Sequence, residues 1–211
     1  MNHWLFRPLI FYPVAILIAA AIILISLDPL AWRRAPEPQS GVLENGAIVF
    51  EGRSFSAPDE SPDQAVRVVR SGFNAPEALR IAVLPNQPPP TPAETGARIL
   101  LSQEAIALLD DRPVHVVVAY RSLPVNPASA LAVSLQGIGP ADWVTQPLAV
   151  GEEEVEFDLP PQFAVNAIGF RAISSDSEHN SGVEIVRFSA TPQEREETPV
   201  EFIPLEPMPE E

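Results

Sequence analysis

Trp143 is the lone tryptophan in the strand-rich part of this chain, directly after Asp142 and seven residues after Gln136. An indole gives a flat apolar platform for the C–H face of a pyranose, and an amide and a carboxylate beside it can hydrogen-bond the hydroxyls. The competing fate of a tryptophan that opens a strand is to pack at the edge of the core. Tyr120 followed by Arg121, at the end of another strand, forms a second pair open to the same two readings. Together Trp143, Tyr120, Arg121, Gln136 and Asp142 are the candidate ligand-binding residues.

A second chemistry is suggested by the oxygen-rich stretch SSDSEHNSGVE at 174–184. Asp176, Glu178 and Glu184 could supply carboxylates to a calcium ion, with backbone carbonyls completing the shell. Their spacing follows no regular calcium loop, and Asn180-Ser181-Gly182 equally serves a tight turn. Ser175 or Ser181 with His179 and Asp176 does not make a triad, because neighbours on one short loop do not reach nucleophile–base–orienter geometry. No G-x-S-x-G elbow and no glycine-rich phosphate loop occurs. Of the three histidines, His3 lies near the N-terminus and His115 inside a strand, so a three-histidine zinc site is not expected. With no cysteine, thiolate chemistry and disulfides are excluded. The chain reads as non-enzymatic, and no cofactor is implied.

Composition narrows the partners. Of 211 residues, 28 are acidic and 13 are arginine, lysine is absent, and the net charge is −15. That balance argues against nucleic acid, whose backbone requires clustered positive charge. The 25 prolines favour short elements over long helices.

What would position these residues begins with Pro8 to Leu27, PLIFYPVAILIAAAIILISL, a run without a charge. Twenty residues of helix rise about 30 Å, the thickness of a hydrocarbon core. Trp4, Phe6, Phe11, Tyr12 and Trp32 sit at its two edges, as interfacial aromatics do. A cleaved signal peptide would carry a shorter apolar stretch and an Ala-x-Ala site. The expectation is a transmembrane helix through residues 8–27 with the lipid bilayer as partner. The chain would then be single-pass in the inner membrane, its C-terminal domain periplasmic, although Arg33 and Arg34 against Arg7 weigh the other way. Residues 1–32 form this anchor segment, 33–41 a Pro-rich linker, 42–191 a β-domain and 192–211 an acidic Pro-rich tail. In the tail, Val200, Phe202, Ile203 and Leu205 are apolar among glutamates.

Within 42–191, short alternating stretches predict strands. They lie around Asn45-Gly46 in 42–50, then at 52–58, 65–71, 79–84, 97–101, 114–120, 131–136, 143–148, 155–159, 165–173 and 183–190. Ser102 to Leu109 is the only helical stretch predicted, with Glu104 in its first turn. The run 85–92, PNQPPPTP, reads as an exposed loop. Strands this short, with no crossover helix, predict a mainly β fold: a sandwich preceded by one transmembrane helix.

The stretch VHVVVAYRSLPVNPASALAVSLQGIGPADWVTQPL, followed by FDLP, AVNAIGFRAISSD and GVEIVRFSATP, resembles the jelly-roll sandwiches of carbohydrate-binding-module or galactose-binding-like type. The resemblance implies a jelly-roll-like β-sandwich over 42–191, in which loop or concave-face aromatics contact sugar and some members hold calcium. Function does not travel with such a fold. The expected function is therefore a membrane-anchored, non-catalytic interaction or accessory subunit, its sandwich held beside the membrane to contact a membrane-protein partner. The alternative is a membrane-anchored carbohydrate-binding module of the cell envelope.

Overall fold

The structure, a computed structural model, describes residues 8–27, 36–59, 64–72, 74–85, 95–149, 152–175 and 179–194. The chain divides into two units, Met1–Glu37 and Pro38–Glu211.

The first unit holds helix α1 (Pro8–Leu27). Within it, side chains are described over residues 12–21. Among the described residues no helix is long and apolar enough to cross a membrane. The expected transmembrane helix, the lipid bilayer as partner, the single-pass inner-membrane and periplasmic placement, and a membrane-anchored accessory role are all corrected by this finding.

The second unit contains strands β1 (Val42–Glu44), β2 (Ala47–Glu51), β3 (Gln64–Arg70), β4 (Pro76–Val83) and β5 (Ala97–Leu100), then helix α2 (Gln103–Leu109). Strands β6 (Val114–Ser122), β7 (Ala130–Gln136), β8 (Val144–Pro147), β9 (Glu152–Leu159), β10 (Ala167–Ile173) and β11 (Gly182–Pro192) follow. In the larger sheet, β11 lies between β6 on one side and β4 and β2 on the other; β3, β1 and β9 are outermost. The smaller sheet runs β5-β10-β7-β8. Every paired strand is antiparallel.

Alternation builds the core between the sheets. Val114, Val116, Val118 and Tyr120 of β6 meet Leu131, Val133 and Leu135 of β7 and Ile168 and Phe170 of β10 in one buried cluster. Phe188 of β11 is its hub. Its ring stacks on Phe50 at 4.5 Å and meets Phe170, from the other sheet, at 5.0 Å between centroids. A bulge between Ile185 and Arg187 places Phe188 inside with Ile185 and turns Arg187 outward toward Glu44 and Glu51. Simple alternation along 183–190 puts Phe188 on the face opposite Ile185, and the extra residue of the bulge reverses this.

Three local readings are settled by backbone detail. Asn45 and Gly46 both adopt positive φ, 50° and 84°, the conformation of a tight hairpin turn joining β1 to β2. Residues 52–55 are a turn of 3₁₀ helix instead of the expected edge strand, and they sink Phe55 into the core. Ser102 caps α2 by accepting from the Ala105 N–H at 3.4 Å. The proline run 86–92 and the tail from 195 onward lie outside the described residues.

Edge strand β9 is protected by charge. Glu154, Glu156 and Asp158 are exposed along it, while Phe157 and Leu159 turn inward. Carboxylates on an outermost strand discourage pairing with another chain.

Candidate functional site

The face of the smaller sheet turned away from the core is built from small residues around two arginines, Arg171 and Arg98. Ile168 and Phe170 of β10 point into the core, so Gly169 and Arg171 point out; on β7, Leu131, Val133 and Leu135 point in, so Ala132, Ser134 and Gln136 point out. The register sets Gly169 opposite Ser134 and Arg171 opposite Ala132, with Arg98 of β5 opposite Gly169 on the other side. Arg98 pairs with Asp59, whose backbone also bonds both polar groups of Arg98 along the β5 edge.

Trp143, immediately before β8, lies half-buried across this face. The Arg171 guanidinium carbon stands 4.3 Å from its ring centroid, and Arg171 is only 3% exposed. A cation held against an indole and shielded from water gains about 2 kcal/mol or more. Close approach of the ring is possible because of two glycines. A Cβ on Gly96 or Gly169 would stand 2.9 or 3.0 Å from Trp143 Cη2, and one on Gly169 would collide with the Gln136 amide. Gly96 also has a φ of +62°, which glycine accommodates without strain.

The polar accounting of this face is incomplete. The Gln136 amide donates from Nε2 to the Thr95 carbonyl at 2.5 Å and to Ser134 Oγ at 3.4 Å. Gln136 Oε1 has no donor, and the Trp143 Nε1–H has no acceptor, although both atoms are buried. A buried polar group left so costs about 1–3 kcal/mol, and each such group in a folded protein calls for an explanation. Among the unmet atoms of this one side-chain cluster are an acceptor, Gln136 Oε1, and a donor, Trp143 Nε1. A hydroxyl, which both donates and accepts, is the simplest group that serves the two.

The other sequence candidates are placed elsewhere. Tyr120 is buried in the core, its hydroxyl accepting from the Ala149 N–H at 2.8 Å and donating to the Ala149 carbonyl at 3.2 Å. Burial pushes its pKa above 10.0; the Ala149 bond opposes this and the Glu153 charge adds to it. It is a core clamp on the 149 segment and not a surface platform. Arg121 lies on the outer face of the larger sheet, where it pairs with Glu184 at 3.4 Å. Glu184, 5% exposed, also receives Arg80, whose Nε donates at 2.9 Å. A carboxylate held by two guanidinium groups is not offered to calcium, so Glu184 is corrected from metal candidate to structural anion. Asp176 and Glu178 lie outside the described residues. No group of metal-ligating side chains occurs among the described residues. Asp142 is exposed beside Trp143.

The structure therefore brings Trp143 and Gln136 together, with Asp142 adjoining, and separates them from Tyr120 and Arg121. Sequence reasoning missed Arg171 and the two glycines. The alternation of Gly169 and Arg171 against Ile168 and Phe170 was readable, but nothing in it says that the outer face would be covered by a ring from another strand.

No family model matches the chain, and no curated protein matches it. Solved structures share its shape in part. "BiXyn10A CBM1 APO" is 7% identical with a TM-score of 0.42, covering 68% of this chain and 95% of that one. The CBM22-1–CBM22-2 tandem domain of Paenibacillus barcinonensis Xyn10C is 11% identical with a TM-score of 0.43, covering 77% of this chain and 50% of that one. The CBM22-1 xylan-binding domain of the same enzyme is 9% identical with a TM-score of 0.39, covering 74% and 97%. These are distant and partial likenesses to carbohydrate-binding modules, and at such TM-scores nothing about a ligand follows from them. The β-sandwich itself rests on the two sheets and the core between them.

Proposed function

We propose that the sandwich is a non-catalytic carbohydrate-binding domain whose contact surface is the outer face of the smaller sheet around Trp143. The observation that carries this reading is the pair of buried, unmet polar atoms, Gln136 Oε1 and Trp143 Nε1. A sugar hydroxyl would accept from the indole N–H and donate to the amide oxygen, while the indole offers apolar area to the ring carbons. Asp142, exposed at the same place, adds an acceptor for a neighbouring hydroxyl.

The face is closed, since neither unmet atom meets solvent. Binding requires the indole to lift from Gly96 and Gly169, and the cost of leaving those groups unpaired in the closed state lowers the cost of that movement. Calorimetric titration of the full chain with xylan, mannan, galactan and cellulose fragments tests the reading. Binding of one of these that is lost in Trp143→Ala is expected. Failure of all four to bind, or binding unaffected by that substitution, would overturn it.

A further inference from the structure

The rim of the sandwich beside this face carries an open aromatic on an unusually constrained backbone. Phe163 is 68% exposed and Ile138 is 76% exposed. They come from different loops, β9–β10 and β7–β8, and the Ile138 N–H donates to the Phe163 carbonyl at 3.1 Å. Gln162 Nε2 returns a bond to the Ile138 carbonyl at 3.2 Å. On either side, the Asn166 N–H donates to the Gln136 carbonyl at 2.8 Å and the Val165 N–H to Asp110 Oδ1 at 2.9 Å. The loops approach so closely at Gly137 that a Cβ there would collide with the Phe163 carbonyl.

Two residues in this rim hold left-handed backbone without being glycine: Ala164 at φ 52° and Asp111 at φ 54°, the latter with its N–H donating to the Gln162 carbonyl at 3.1 Å. For alanine that conformation costs about 1 kcal/mol or more and persists only where the surroundings over-determine it. The result is a fixed frame that turns a phenyl ring to solvent. Gln136 links the frame to the Trp143 face, for its carbonyl belongs to the rim and its amide side chain to the face.

Resting on the reading proposed above, we infer that the ligand is a chain of sugars and not a single sugar, and that Phe163 with Ile138 forms an outer subsite for a residue next to the one at Trp143. Two side chains offer far less than the roughly 800 Å² per partner of a specific protein interface, but they match the face of one pyranose ring. The outer platform is preformed, while the inner one must open, so the rim is the first point of contact. Its contribution adds to that of the inner site through the connectivity of the chain.

The test is calorimetry of the full chain with the xylan and mannan series from monosaccharide to hexasaccharide. The unaltered protein is expected to gain about tenfold in affinity along the series that binds. Phe163→Ala should abolish that gain and leave monosaccharide affinity unchanged, and Phe163→Tyr should restore it. An unchanged melting temperature is expected for both variants, because the ring is exposed. A length dependence that survives Phe163→Ala, or no length dependence in the unaltered protein, would overturn this inference alone. No binding by the unaltered protein at any length would overturn the underlying reading as well.

Discussion

The outer faces of the two sheets each bury a polar cluster, and they are finished differently. On the larger sheet, Glu184 lies opposite Arg80 on one side and Arg121 on the other, and both carboxylate oxygens are bonded. On the smaller sheet, Arg171 is packed beneath an indole while Gln136 Oε1 and Trp143 Nε1 go unmet. A closed network spends its hydrogen-bonding capacity on the fold. An open one keeps some for a ligand and carries the desolvation cost until that ligand arrives.

This contrast predicts that the two clusters differ in what their loss does to binding. Glu184→Ala removes a buried carboxylate from two arginines that are each about two-fifths exposed and should cost about 2 kcal/mol in denaturant unfolding, with sugar affinity of the folded protein retained. A loss well under 1 kcal/mol would mean that the arginines simply turn to solvent. Trp143→Ala should also cost about 2 kcal/mol, as Arg171 loses its indole cover, but it should reduce the sugar affinity of the folded protein by roughly a hundredfold. Trp143→Phe, which keeps an apolar ring and drops the N–H, should lose about tenfold.

Gly169→Ala sharpens the distinction further. The new methyl would collide with Gln136 Nε2 and stand 3.0 Å from Trp143 Cη2, so both side chains must shift. Affinity should fall about tenfold and stability by about 1–3 kcal/mol. If binding survives intact, the space under the indole is not where the ligand enters.

Much of the scaffold was legible in the chain. The period-two pattern of Val114 to Tyr120 and of Leu131 to Gln136 located strands and assigned their inner faces, because apolar alternation directly reports which side is dry. Trp143 and Gln136 were legible as candidates, since an indole and an amide combine apolar area with hydrogen-bonding capacity, and the structure sets them side by side. What escaped was set by contacts distant in sequence. The bulge at Val186 moves Phe188 to the core, and no local signal marks it. Glu184 looked like one carboxylate of a loop, whereas its character comes from Arg80, 104 residues earlier. Tyr120 was open to both a surface and a core reading because nothing local reveals that the Ala149 backbone comes to meet its hydroxyl. The apolar run 8–27 was read by composition alone, whereas among the described residues no helix is long and apolar enough to cross a membrane.

Smaller effects separate the rim from the core. Ala164→Gly should stabilise the protein by about 0.5 kcal/mol, as relief of left-handed strain slightly exceeds the entropy that glycine loses. The raised pKa of Tyr120 means that folding favours its neutral form. That contribution is intact below about pH 10 and is lost as pH rises through the folded-state value. Tyr120→Phe should therefore flatten the alkaline limb of the stability curve, and an unchanged limb would assign the alkaline loss to other groups.

The most direct probe of the central claim is the indole N–H resonance of Trp143 in a ¹⁵N-labelled protein, identified by its disappearance in Trp143→Phe and followed while a bound oligosaccharide is titrated in. If this face takes the sugar, the resonance moves downfield as Nε1–H acquires an acceptor, and it saturates with the same affinity that calorimetry reports. An indole resonance that stays in place while the oligosaccharide saturates the protein would contradict the account.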